Sequence, residues 1–128
     1  MTEARGTDAP EWVACIYANR RSGPYITHVA PDVGTMDHLR RKAAQLLPAD
    51  AAGNVRPTFV VWYEVCGEEA AADTRAAEVR RLPLVWQRGL IELSNPQWFD
   101  LGAMAMGFPS SHTVPPEDGL PYYSAAQL

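Results

Sequence analysis

Apolar and polar positions along this chain alternate between two periods, one of strands and one of helices. Trp12-Val-Ala-Cys-Ile-Tyr-Ala18 is a short apolar run rich in β-formers and predicts a buried strand. Asn19-Arg-Arg-Ser-Gly-Pro24 has the composition of a turn, and Tyr25-Ile-Thr-His-Val29 predicts the return strand of a hairpin. Pro31 ends it. Asp32 or Thr35 can cap a helix running to about Leu47, in which Met36, Leu39, Ala43, Leu46 and Leu47 recur at helical spacing. Pro48, Gly53, Asn54 and Pro57 mark a loop. Thr58-Phe-Val-Val-Trp-Tyr-Glu-Val65 is β-branched and aromatic throughout, the composition of a central strand. Glu68 to about Leu82 is Ala-rich and helical, with acids in its first turn and Arg80–Arg81 in its last, as the helix dipole prefers. Pro83 opens a further helix over about 84–93, and Ser94 to Leu101 reads as a turn with an aromatic anchor.

The order β-β-α-β-α-α predicts an α+β domain with a three-stranded, mainly antiparallel sheet and about three helices. It occupies residues 12–101. Residues 1–11 are polar and acidic and are expected to be disordered. Residues 102–128 carry Pro109, Pro115, Pro116 and Pro121 without periodicity and are expected to form an extended or disordered tail.

Composition narrows the function classes. The 128 residues carry a net charge of −4. The ends account for all of it: residues 1–11 hold Arg5 against Glu3, Asp8 and Glu11, and residues 101–128 hold only Glu117 and Asp118. A neutral middle argues against a dedicated phosphate-binding domain. No apolar run approaches the roughly 18–20 residues of a membrane span, and the start lacks the pattern of a secretory signal. Cys15 and Cys66 are too few for a disulfide scaffold or a four-cysteine zinc site, so a cytoplasmic setting is expected. His28, His38 and His112 have no metal-ligand spacing, and Ser110–Ser111–His112 on the Pro-rich tail lacks the fixed geometry of a catalytic pair. Trp12, Trp62, Trp86 and Trp98 each lie in an apolar context and are expected in the core. Met104 and Met106 lie outside it and suit an adaptable hydrophobic contact.

Several strings carry a resemblance. Ile16-x-Ala18 followed by Arg21-x-Gly23, then Val61-Trp-Tyr-Glu64, then Leu90-Ile-Glu92 with Asn95-Pro-x-Trp98-x-Asp-Leu101, together resemble the small single-domain members of the GIY-YIG nuclease superfamily over residues 12–101. The resemblance implies a phosphodiesterase site with one divalent metal, two hairpin tyrosines, an arginine on the first helix and a glutamate on the second. A carboxylate would hold the hard cation, the metal would polarise the phosphate, the arginine would neutralise the transition state, and a tyrosine would assist proton transfer.

At those positions the sequence departs from the family. The first triplet falls on Val13-Ala14-Cys15, placing Cys15 where the tyrosine belongs, and the second on Ile26-Thr27-His28, without tyrosine or glycine. The arginine position falls on Met36 and the glutamate position on Ala76. Three substitutes are conceivable: Tyr17 and Tyr25 in a shifted register, Arg40 one turn beyond Met36, and Asp73 one turn before Ala76 as a metal ligand. The leading expectation is a degenerate, non-catalytic domain, with no cofactor and with a protein partner reached through 102–128. One alternative is a divergent endonuclease using Tyr17, Tyr25, Arg40 and Asp73 with Mg²⁺ or Mn²⁺. The other is a non-cleaving nucleic-acid binder with a groove of Arg20, Arg21, Arg40 and Arg41.

Overall fold

The computed structural model describes residues 11–110 and 112–117. The expectations for residues 1–10 and 118–128 lie outside the described residues. The hairpin forms as the alternation predicts, β1 over Trp12–Ala18 and β2 over Tyr25–Ala30. α1 covers Val33–Leu46, β3 Phe59–Gly67, α2 Glu69–Arg81 and α3 Leu84–Ser94. A short α4 over Leu101–Ala105 follows, so residues 102–105 are helical, not an extended arm. Its Asp100 cap accepts a hydrogen bond from Gly102 N at 3.1 Å, and Asp32 caps α1 by accepting from Thr35 N at 2.7 Å.

The sheet is antiparallel in the order β2-β1-β3, an α+β arrangement. β1 is therefore the central strand and β3 an edge, the reverse of what β3's composition suggests. The reason lies in β1's two faces. Ala14, Ile16 and Ala18 pack with Ala76, Val79 and Ile91 of α2 and α3. Val13, Cys15 and Tyr17 pack with Met36 and Ala43 of α1 and the partly buried Leu101 of α4. Small residues at 14 and 18 let the helices of one face approach, while Ile16 and Tyr17 fill the two cores.

β3 is as apolar as a central strand because its free edge is covered where it bulges. Tyr17 pairs with Val60 but Ile16 with Trp62, so Val61 is an extra residue. The bulge turns Val61 and Trp62 into the same core cluster. It also leaves edge backbone groups that the segment after α3 satisfies. Asn95 Nδ2 donates to Val61 O at 3.0 Å, and Asp100 Oδ1 accepts from Val60 N at 3.3 Å. Asn95 also closes its own turn, with Nδ2 donating to Phe99 O and Oδ1 accepting from Phe99 N, each at 3.0 Å. Within that turn the fully buried Trp98 takes a positive φ of 58°. That conformation costs a non-glycine residue about 1 kcal/mol and persists because the ring is packed and its Nε1 donates to Glu92 Oε2 at 2.8 Å.

The chain then folds back. Thr113 bridges Phe99, Val114 is fully buried, and Arg21 Nε donates to Val114 O at 2.7 Å. Ser22 Oγ donates to the Glu117 carboxylate at 2.8 Å. The start of the tail is thus strapped to the β1–β2 loop. Among the described residues no helix is long and apolar enough to cross a membrane.

Replacing Asn95 by alanine strands buried backbone groups on β3 and in the turn, each worth about 1–3 kcal/mol. Urea unfolding of Asn95→Ala should show a loss of about 2–4 kcal/mol; a loss below about 0.5 kcal/mol would contradict this role.

Candidate functional site

The hairpin register decides which residues share a face. Cys15 pairs with His28 and Tyr17 with Ile26, so these four side chains lie on the α1 side, above Met36. Cys15 and Met36 are fully buried. The Tyr17 hydroxyl donates to Met36 O at 2.6 Å. Burial raises the Tyr17 hydroxyl far above its ordinary range, reinforced by Cys15, and burial pushes the Cys15 thiol up to about 12. Neither group is prepared to act as a base or nucleophile near neutral pH. His28 remains exposed at the rim, its pKa lowered by partial burial and then by Arg80.

Arg40 lies on the same side and is engaged. Its Nε pairs with Asp37 Oδ1 at 3.1 Å, and its Nη1 lies 3.9 Å from Asp100 Oδ2. It links α1 to the Asp100 cap. Arg41 is on the exposed surface of α1.

Tyr25 points to the opposite face. It packs against Trp98, with ring centroids 6.1 Å apart, and its hydroxyl donates to Arg21 O. Burial raises its pKa too. Ala76 is fully buried in the core of this second face, and Asp73 is exposed on α2 above it. The structure therefore splits the substitute set. Tyr17 and Arg40 are on one side of the sheet, Tyr25 and Asp73 on the other, because Tyr17 and Tyr25 stand at opposite parity in the hairpin. The positions of the resemblance divide likewise: Cys15, Ile26, His28 and Met36 on one side, Ala76 on the other.

A hard divalent cation requires oxygen ligands. Ala76 offers a methyl group, and Asp73 is separated from Arg40 by the sheet. These residues do not fit a metal site. Among the described residues no group of three or more His, Cys, Asp or Glu side chains is placed to hold a metal ion.

Two other polar clusters exist. Around Trp98, the guanidinium groups of Arg21 and Arg88 lie 5.8 and 5.7 Å from its ring. Glu92 Oε2 accepts from Arg88 Nε at 3.1 Å as well as from Trp98. The sequence reading missed this network, whose signal was the i,i+4 spacing of Arg88 and Glu92. Between β3 and α2, an open groove of about 520 Å³ is lined by Glu64, Cys66, Ala70, Ala71, Thr74, Arg75 and Glu78. Arg75 there is paired with both Glu64 at 3.2 Å and Glu78 at 3.3 Å, so its guanidinium is fully engaged by carboxylates.

The tryptophans divide. Trp62 and Trp98 are buried as expected, but Trp86 is 68% exposed. Its helix buries Arg88 and Ile91, which turns position 86 outward. Met104, Met106 and Phe108 are also exposed, at 45%, 39% and 62%. Met106 adjoins the start of α1, where its Sδ lies about 4.0 Å from the Cβ position of Gly34.

Comparison with protein-family models, curated proteins and solved structures finds no match.

The thiols should separate chemically. At pH 8 the native chain should release one equivalent from a disulfide thiol reagent, at the half-buried Cys66, and two after denaturation; two equivalents at similar rates from the native state would contradict the burial of Cys15. His28 has a folded pKa below its unfolded one, so its protonation favours unfolding. Its contribution is complete above the unfolded value near 6.5 and is lost as pH falls through the folded value. The urea midpoint should drop on acidification below that point, and His28→Asn should flatten the drop; an unchanged slope would contradict it.

Proposed function

We propose that this chain is a GIY-YIG-like domain that has lost cleavage and acts as a binding module for a protein partner, in a cytoplasmic setting. The observation that carries the reading is the burial of Cys15, Met36 and Ala76 within the two cores of the sheet. Positions where the resemblance calls for polar, solvent-facing chemistry are filled by thiol, thioether and methyl groups in packing roles. A lost electrostatic group alone typically costs about 10²–10³ in rate, and here a carboxylate, an arginine and a tyrosine are all replaced.

The surface supports a binding role. Met104, Met106 and Phe108 form an exposed apolar patch at the end of α4, and methionine suits contact with partners of varied shape. This makes the beginning of the 102–128 segment the partner-facing part. The endonuclease reading finds less support, since its four residues do not converge. The nucleic-acid reading also finds less, since Arg21 and Arg40 are engaged with Val114 O and with Asp37 and Asp100.

Incubation with branched, nicked and duplex DNA in Mg²⁺ or Mn²⁺ should yield no cleavage above buffer. Metal-dependent cleavage by the purified chain that disappears in Asp73→Ala or Arg40→Ala would overturn the proposal.

A further inference from the structure

β3 ends the sheet, and only part of its free edge is covered. Val61 O faces outward to Asn95. Outward-facing backbone recurs at every second residue of a strand, so Tyr63 and Val65 are the next two. Among the described residues, their N–H and C=O groups meet no partner beyond the sheet. The other edge is guarded: Arg80 reaches over β2 from α2 and donates to Thr27 O at 2.9 Å, one of the ways an edge strand is shielded from pairing. Val65, by contrast, is 50% exposed.

The open groove between β3 and α2 runs beside this unguarded stretch. Glu64 and Cys66 line it from the strand, and Ala70 and Ala71, with their short side chains, line it from the helix. Its charged residues are Glu64, Glu78 and Arg75, two carboxylates and one guanidinium, a net of −1. Arg75 is held in place by both carboxylates and by stacking 5.6 Å over the Trp62 ring. The side chains of Glu64 and Glu78 remain 46% and 54% exposed, so each keeps oxygen lone pairs open to a cation from outside.

We propose that the Tyr63–Val65 edge takes an extended, basic segment of a protein partner as a fourth strand of the sheet. The segment runs antiparallel to β3, as every pair in this sheet does. Its backbone pairs with Tyr63 and Val65, and its side chain opposite Glu64 is a lysine or arginine lying in the groove between Glu64 and Glu78. Its neighbours on the other face are apolar and lie against Tyr63 and Val65. The occupant is extended because the edge offers a row of backbone donors and acceptors, which a strand matches and a helix does not. It is basic because the groove is acidic, and a second copy of this chain would bring the same sign. This surface is separate from the methionine patch and goes beyond the binding role proposed above.

The test is fluorescence anisotropy with the full chain and a labelled peptide of about eight alternating valines and lysines, an ordinary strand length. The wild-type chain should bind it, more weakly as salt rises, and should bind a valine–glutamate peptide far less. Methylating the valine backbone nitrogens, which face β3, should abolish binding. Val65→Pro removes one outward N–H at an edge, where proline is tolerated, and should weaken binding about tenfold, the scale of one lost hydrogen bond. Glu64→Lys should weaken it as much and reduce the salt dependence. Circular dichroism checks that both variants keep the fold. The bound peptide should also slow the reaction of Cys66 with a thiol reagent several-fold. No binding by the wild-type chain, equal binding of the valine–glutamate or methylated peptide, or binding untouched by Val65→Pro would overturn the proposal. So would dimerisation of the chain that Val65→Pro abolishes. A failed titration leaves the cleavage result and the methionine patch untouched, and DNA cleavage leaves the peptide result untouched.

Discussion

The fold depends on how the bulged edge of β3 is satisfied. An extra residue at Val61 exposes backbone groups that β1 cannot reach, and an unpaired buried group costs about 1–3 kcal/mol. Asn95 and Asp100 supply the partners from one short turn. The same turn reaches both sides of the sheet. Asp100 lies against Arg40 of α1 and caps α4, while Trp98 joins Glu92 and Arg88 of α3 and stacks near Arg21 of the hairpin loop. The Asn-Pro-x-Trp-x-Asp-Leu string, which carries much of the resemblance to the nuclease superfamily, thus has a structural role independent of any chemistry.

The turn ties β3, α1, α3 and the hairpin together through Asn95, Trp98 and Asp100. Cys15, Met36 and Ala76 are felt by the core alone. Selection for packing at those three positions favours groups without charge, because an isolated buried charge is expensive. The large apolar side chains outside these cores include Met104, Met106 and Phe108 near α4 and Trp86 and Leu93 on α3, all exposed.

Much of the architecture was legible in the chain. The hairpin, α1, β3, α2 and α3 follow from period and punctuation, since apolar spacing and Pro or Gly boundaries are local properties. The position of β3 was not, because an edge strand covered by a turn is as apolar as a central one. The separation of Tyr17 from Tyr25 was readable only with the register, where one residue of slip reverses every side chain. Trp86 looked like core because its neighbours Leu84 and Val85 are apolar; only the burial of Arg88 and Ile91 sets the helix's inward face. The fold of 102–117 escaped detection because its contacts, from Val114 to Arg21 and from Glu117 to Ser22, are long-range and polar.

Ala76, the position to which the resemblance assigns a carboxylate, is interior. Equilibrium unfolding of Ala76→Glu, with and without Mn²⁺, tests it directly. An interior site predicts a loss of about 3–5 kcal/mol, the scale of an unpaired buried charge, eased at low pH where the carboxyl is neutral and unaffected by the cation. A variant as stable as the wild type at neutral pH, and further stabilised by Mn²⁺, would contradict it.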